Sequence, residues 1–137
     1  MEFADYKIWP REGIYVEPAR QRAIAQVLEA SNLFERIPRG SEVVIEVGRE
    51  VPAGLTLAEA HGTWRAEYFR KIQTPDGLPR QALDENSPPG LVHVEVNVID
   101  KRTPGMGSHF GYQGYYLSIL VNPDEGFIWD VRGERAS

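Results

Sequence analysis

The chain contains no cysteine. Disulfides, thiolate nucleophiles, iron–sulfur clusters and cysteine-based zinc sites are therefore excluded. The absence does not fix a compartment, since cytosolic and exported proteins alike can lack the residue. A long hydrophobic run is also missing. No apolar stretch approaches the ~18 residues of a membrane span, so no transmembrane segment is expected. No charged n-region followed by an apolar h-region opens the chain. The expectation is a cytoplasmic protein, or a periplasmic or outer-membrane-associated one whose leader has been removed. Positive charge is scarce as well: 15 Lys and Arg face 20 Asp and Glu, giving a net charge of −5. The densest basic stretches, Arg20 with Arg22, Arg36 with Arg39 and Arg70 with Lys71, have glutamates close by. A broad polyphosphate-binding face needs clustered Lys and Arg, so nucleic acid is not an expected partner.

What is present is close to the globular average: 137 residues, 42% hydrophobic and 26% charged. At about 150 residues per domain, this predicts a single domain over 1–137. A chain of this length buries about two-thirds of its unfolded surface, enough for a core without staples.

The pattern predicts an α+β fold: a mainly antiparallel sheet with one long amphipathic helix (18–34) packed on one face and a second short helix near 56–61. Residues 3–16, with Phe3, Tyr6, Ile8, Trp9, Ile14, Tyr15 and Val16 broken by Pro10 and Gly13, read as two short strand pieces around a turn. Pro18 suits a first helical turn, where its missing N–H costs nothing. Ile24, Val27, Leu28 and Phe34 then fall on one helical face, and Pro38 and Gly40 stop the element. Residues 42–47 alternate as a strand, with Val43, Ile45 and Val47 on one side. Residues 57–73 satisfy helical spacing (Leu57, His61, Trp64, Tyr68, Ile72) and strand alternation (Trp64, Ala66, Tyr68, Ile72) alike. Gly62 and Thr63 disfavour an unbroken helix, so a short helical piece at 56–61 and a strand at 63–73 is the preferred reading. Proline-rich 78–90 reads as a mobile surface loop. Leu91 to Ile99 is a strand with Val92, Val94, Val96 and Val98 on one face and His93, Glu95 and Asn97 on the other, the latter expected to be solvated. A glycine-punctuated connection leads to a strand over 115–121. The turn Asn122-Pro123-Asp124-Glu125-Gly126 returns it as a hairpin through 127–131, and 132–137 are expected to fray. Trp9, Trp64 and Trp129 are expected to anchor the core.

Three candidate chemistries follow. His93 and Glu95, two apart on a strand, point the same way. With a third group such as His109 or Asp100 they could hold a metal, or serve as a base and its orienting carboxylate. The wet face of a half-buried sheet explains the pair more simply. Residues 103–116 form a glycine-rich segment that runs into a strand without a following Lys-Ser/Thr, so the phosphate-loop and dinucleotide patterns both fail and no cofactor is implied. It carries Met106, His109, Phe110, Tyr112, Tyr115 and Tyr116, aromatic-rich candidates for contact with a protein partner or small ligand. Ser108 and His109 are adjacent, but Gly105, Ser108 and Gly111 do not have the spacing of a G-x-S-x-G elbow. Asp124 and Glu125 are explained by turn formation.

Two ends of the chain resemble small bacterial envelope lipoprotein domains of unassigned function. Phe3, Tyr6, Lys7 and Trp9 match an opening Phe-x-x-Tyr-Lys-x-aromatic pattern. Val27, Leu28, Ser31, Leu33 and Phe34, followed by Val43 to Val47, match a helix that steps through Phe into a strand. Gly114, Leu117, Ile119, Val121, Asn122 and Trp129 match a closing hairpin. The resemblance covers about half the chain and implies a helix-on-sheet domain with a non-catalytic accessory role. The expectation is a non-enzymatic binding or assembly module of the bacterial envelope, contacting a partner through the 103–116 loop or a sheet edge. Two alternatives stand beside it: a phage, immunity or defence-related interaction protein, and a small enzyme or metal-binding protein with a site near His93, Glu95 and His109.

Overall fold

The computed structural model describes residues 6–31, 33–34, 41–62, 78–100 and 113–136. It is an α+β structure built on one five-stranded, mostly antiparallel sheet. The elements in chain order are β1 (Tyr6–Pro10), α1 (Pro18–Ala30), β2 (Ser41–Val51), α2 (Leu57–His61), β3 (Leu91–Asp100), β4 (Gln113–Asn122) and β5 (Phe127–Ala136). The strands lie side by side in sequence order. Only β1 and β2 are parallel, and a parallel pair needs a crossover, which here contains α1.

One sheet face is mainly apolar. Val43, Ile45 and Val47 of β2, the four valines of β3, Leu117, Ile119 and Val121 of β4 and Val131 of β5 pack with Ile24, Val27 and Leu28 of α1. Period-two alternation puts these residues of each strand on one side, and the register pairs Ile45 with Val96 and Val94 with Ile119 across the ladder.

Helix α1 stops at Ala30 rather than at Phe34. Ser31 adopts an extended conformation, its hydroxyl donates to the Leu28 carbonyl at 2.6 Å, and its oxygen accepts the Leu33 N–H at 3.2 Å. A serine that satisfies the backbone locally offers an alternative to another helical turn. Leu33 and Phe34 still reach the core, but from outside the helix.

Several other expectations need correction. Residues 14–16 are not a strand; only β1 forms in this region, and it pairs with β2 instead of folding back as a hairpin. Trp9 is 42% exposed, because β1 is an edge strand and its Trp9 faces away from α1. The C-terminal residues do not fray at Arg132, since β4 is long enough to hold β5 in register as far as Ala136. The 78–90 segment is anchored at several points: Leu78 and Ser87 are buried, Val131 N–H donates to the Pro79 carbonyl, and Ser87 staples itself to Leu55. The expected strand at 63–73 and Trp64 lie outside the described residues. Among the described residues, no helix is long and apolar enough to cross a membrane.

Candidate functional site: a buried relay beneath α2

The second sheet face mixes polar residues with a smaller apolar cluster, and bulges shape it. Between the pairs Val47–Val94 and Glu50–Val92, Gly48 and Arg49 of β2 stand opposite the single residue His93. In β5, Trp129 is the extra residue between the pairs Leu120–Asp130 and Val121–Ile128. Bulges re-aim neighbouring side chains. Here the second lets Ile128 and Val131 share the apolar face, while Trp129 packs on the opposite side with Val51, Ala60, Leu91 and Leu120.

Helix α2 lies over this smaller cluster and packs on β4. Its start is set by a capping box: the Thr56 hydroxyl accepts the Glu59 N–H, and the Glu59 carboxylate accepts the Thr56 N–H, both at 3.2 Å. This arrangement satisfies two donors that the helix end would otherwise strand. Gly62 ends it with φ 121°, a conformation that side chains disfavour. Stopped there, the helix points its last residue, His61, down into the sheet.

Beneath α2, His61 Nδ1 lies 2.7 Å from Ser118 Oγ, and His61 Nε2 lies 2.6 Å from Asp130 Oδ2. His93 Nε2 is also 2.7 Å from Ser118 Oγ. Arg132 donates to both Asp130 oxygens, through Nε at 2.9 Å and Nη2 at 3.1 Å, and the Gln81 N–H donates to Asp130 Oδ1 at 2.7 Å. Arg132 Nη2 also reaches the Gln81 carbonyl at 2.5 Å. All five side chains are buried, Asp130 completely.

Protonation follows from these contacts. Desolvation pushes the Asp130 carboxyl up, but hydrogen bonds from His61, Arg132 and the Gln81 N–H outweigh it and hold the carboxyl below its usual range. Burial, with Arg132 adding to it, pushes the His61 imidazole down against the upward pull of Asp130. A neutral His61 facing an ionised Asp130 must carry its proton on Nε2. Its Nδ1 is then an acceptor, so the Ser118 O–H donates to it, and His93 donates from Nε2 to Ser118 Oγ. The order Asp130–His61–Ser118 is that of a charge-oriented nucleophile. Yet Ser118 is only 4% exposed, sits in mid-strand and already accepts a hydrogen bond.

Met106, His109, Phe110 and Tyr112 lie outside the described residues. Tyr115 and Tyr116 belong to β4, in line with the strand expected over 115–121, and Tyr116 is half-buried. The His93–Glu95–Asn97 face is not uniformly wet: His93 is buried, Glu95 half-buried and Asn97 exposed. Glu95 is taken by Arg11, whose Nη2 stands 2.7 Å from Glu95 Oε1. Among the described residues, no group of three or more His, Asp or Glu is placed to hold a metal. Sequence reasoning missed Ser118, Asp130 and Arg132. The available signal was Asp130-Val131-Arg132, opposite charges two apart in an apolar strand and hence on one face.

Fold and site together define an α+β protein whose sheet has one apolar face and, on the other, a buried Ser–His–Asp–Arg network under a short capped helix. No protein-family model, curated protein or solved structure matches the chain.

Proposed function

We propose that the chain is a non-enzymatic binding module that meets an extended segment of a protein partner along β1, with the bacterial envelope as the compartment that its resemblance suggests. The observation that carries this reading is Trp9, a large aromatic 42% exposed on the edge strand of the sheet. Among the described residues no strand pairs with the outer side of β1, and edge strands offer backbone groups to an added strand. Lys7 is exposed on the same strand. In this reading α1 is the amphipathic element that backs the sheet, with Ile24, Val27 and Leu28 inward. Selection of short peptides from a displayed library tests it. Peptides enriched on the protein should lose about 30-fold or more in affinity with Trp9→Ser, the scale of a tryptophan hot spot, while the urea midpoint stays put. Enrichment insensitive to Trp9 refutes the reading.

The order Asp130–His61–Ser118 favours a second reading, a serine-nucleophile enzyme. Covalent labelling of Ser118 by a fluorophosphonate would establish it and displace the first. Burial of the serine beneath α2 argues for no labelling.

A further inference from the structure

We propose that the chain Asp130–His61–Ser118–His93 is an acid-sensitive catch that holds α2 against β4. One hydroxyl sets the limit on protons and lone pairs. Ser118 has a single O–H, two imidazoles address its oxygen at 2.7 Å each, and the rings stand edge-on with centroids 6.3 Å apart. With both imidazoles neutral every contact is satisfied: His93 donates to Ser118, Ser118 to His61, and His61 to Asp130. One added proton is tolerated. If it sits on His93, the Nε2 donor is unchanged. If it sits on His61, Ser118 can turn its O–H toward His93 once that ring shifts its hydrogen to Nδ1. A second proton is not tolerated, because both rings then aim N–H donors at Ser118 Oγ and its own hydrogen has no imidazole acceptor left. In a buried site an unsatisfied donor is costly.

The charged groups described around the site are already engaged. On β5, Asp130 is already engaged by Arg132, whose positive charge lies beside His61. On β3, Glu95 is paired with Arg11. On the β2 side, Arg11 also approaches Gly48 close to His93, and Glu46 lies 3.9 Å from the Arg11 guanidinium. On α2, Glu59 is spent on the capping box. The 78–87 segment contributes the Gln81 amide and carbonyl, both directed at Asp130 and Arg132. The part that yields is α2, five residues held by its cap, its apolar contacts, His61 and the Thr56–Asn86 bridge that leads into it.

A solvated imidazole titrates near 6.5. The closed form admits one proton at most, so closing is disfavoured as pH falls below about 6.5. The closing equilibrium should fall by up to about tenfold per pH unit, the linkage for one excluded proton. Hydrogen exchange from pH 7.5 to 5, corrected for intrinsic rates, reads this directly. The Ala60 and Gly62 amides, bonded to Thr56 and Ala58, should lose protection below pH 6.5 while the Ile119 amide stays protected. His93→Gln keeps an amide donor for Ser118 but cannot take a proton, so it should flatten the pH dependence of α2. Unchanged α2 protection in the wild type, simultaneous loss at Ile119, or an undiminished slope in His93→Gln would overturn the proposal. If that variant does not fold, imidazole nitrogen spectra of the wild type decide: the Nε2–H form of both rings at pH 7.5 supports the catch, and an Nδ1–H form of His61 overturns it.

Discussion

Replacing Asp130 with asparagine removes the charge around which the buried network is ordered. The carboxylate accepts His61 Nε2, the Gln81 N–H and two contacts from Arg132, all within 3.1 Å. An asparagine side chain has one oxygen for these donors and turns an NH2 toward the rest. Hydrogen bonds to a charged group are worth about 1.5–3 kcal/mol each, but their gross sum overstates the loss because desolvation of Asp130 offsets much of it. The better guide is the cost of leaving a buried partner uncompensated. Arg132 is 2% exposed and exchanges a charged acceptor for a neutral one while keeping its contact to the Gln81 carbonyl, which together with the loss at His61 and Gln81 sets the cost at about 3–5 kcal/mol. Against a total stability of about 5–15 kcal/mol this is severe. With a urea slope near 2 kcal/mol/M the midpoint should fall by about 1.5–2.5 M. A double-mutant cycle with Arg132→Met completes the test: because the two side chains share one ion pair, the double variant should cost clearly less than the two single losses summed. A loss below about 1 kcal/mol for Asp130→Asn, or strict additivity in the cycle, would refute the argument.

Four further outcomes are expected. Leu28→Ala removes a side chain with no exposure from the α1–sheet core, and should cost about 2–5 kcal/mol in a urea titration; an unchanged midpoint would mean α1 does not carry the core. Gly48→Ala would place a methyl 3.0 Å from the His93 carbonyl oxygen, a crowding worth about 1–3 kcal/mol of lost stability in the same assay. Thr56→Ala breaks the capping box and should cost about 1 kcal/mol, seen most clearly as faster exchange at the Ala60 amide. Tyr6, partly desolvated and donating its hydroxyl to Glu29, has its phenol pushed up to about 12. The folded chain therefore holds that proton more tightly than the unfolded one, so the resulting stability is present below pH 10 and lost as pH rises through 12; ultraviolet titration should show this late phenol, and Glu29→Gln should bring it down.

Elements whose signal is local were legible in the chain before folding. The valine alternation of β2 and β3, Pro18 at the start of α1, the 122–126 turn and the short helix after Thr56 follow from periods and caps that a few neighbouring residues carry. The apolar face of the sheet was legible for the same reason. Only the tertiary structure decided which polar residues meet. His61, Ser118 and Asp130 come together across a gap of 57 and 69 residues, and no local pattern encodes so distant a meeting. The burial of His93 depends on α2 covering one end of a face that alternation alone marks as wet, and the order of the last strand depends on the length of its neighbour β4. Both bulges shift the phase of a strand at the point where the site forms. Period-two reasoning assumes an unbroken phase, so it loses the strand there, and the candidate site lies where that phase is interrupted.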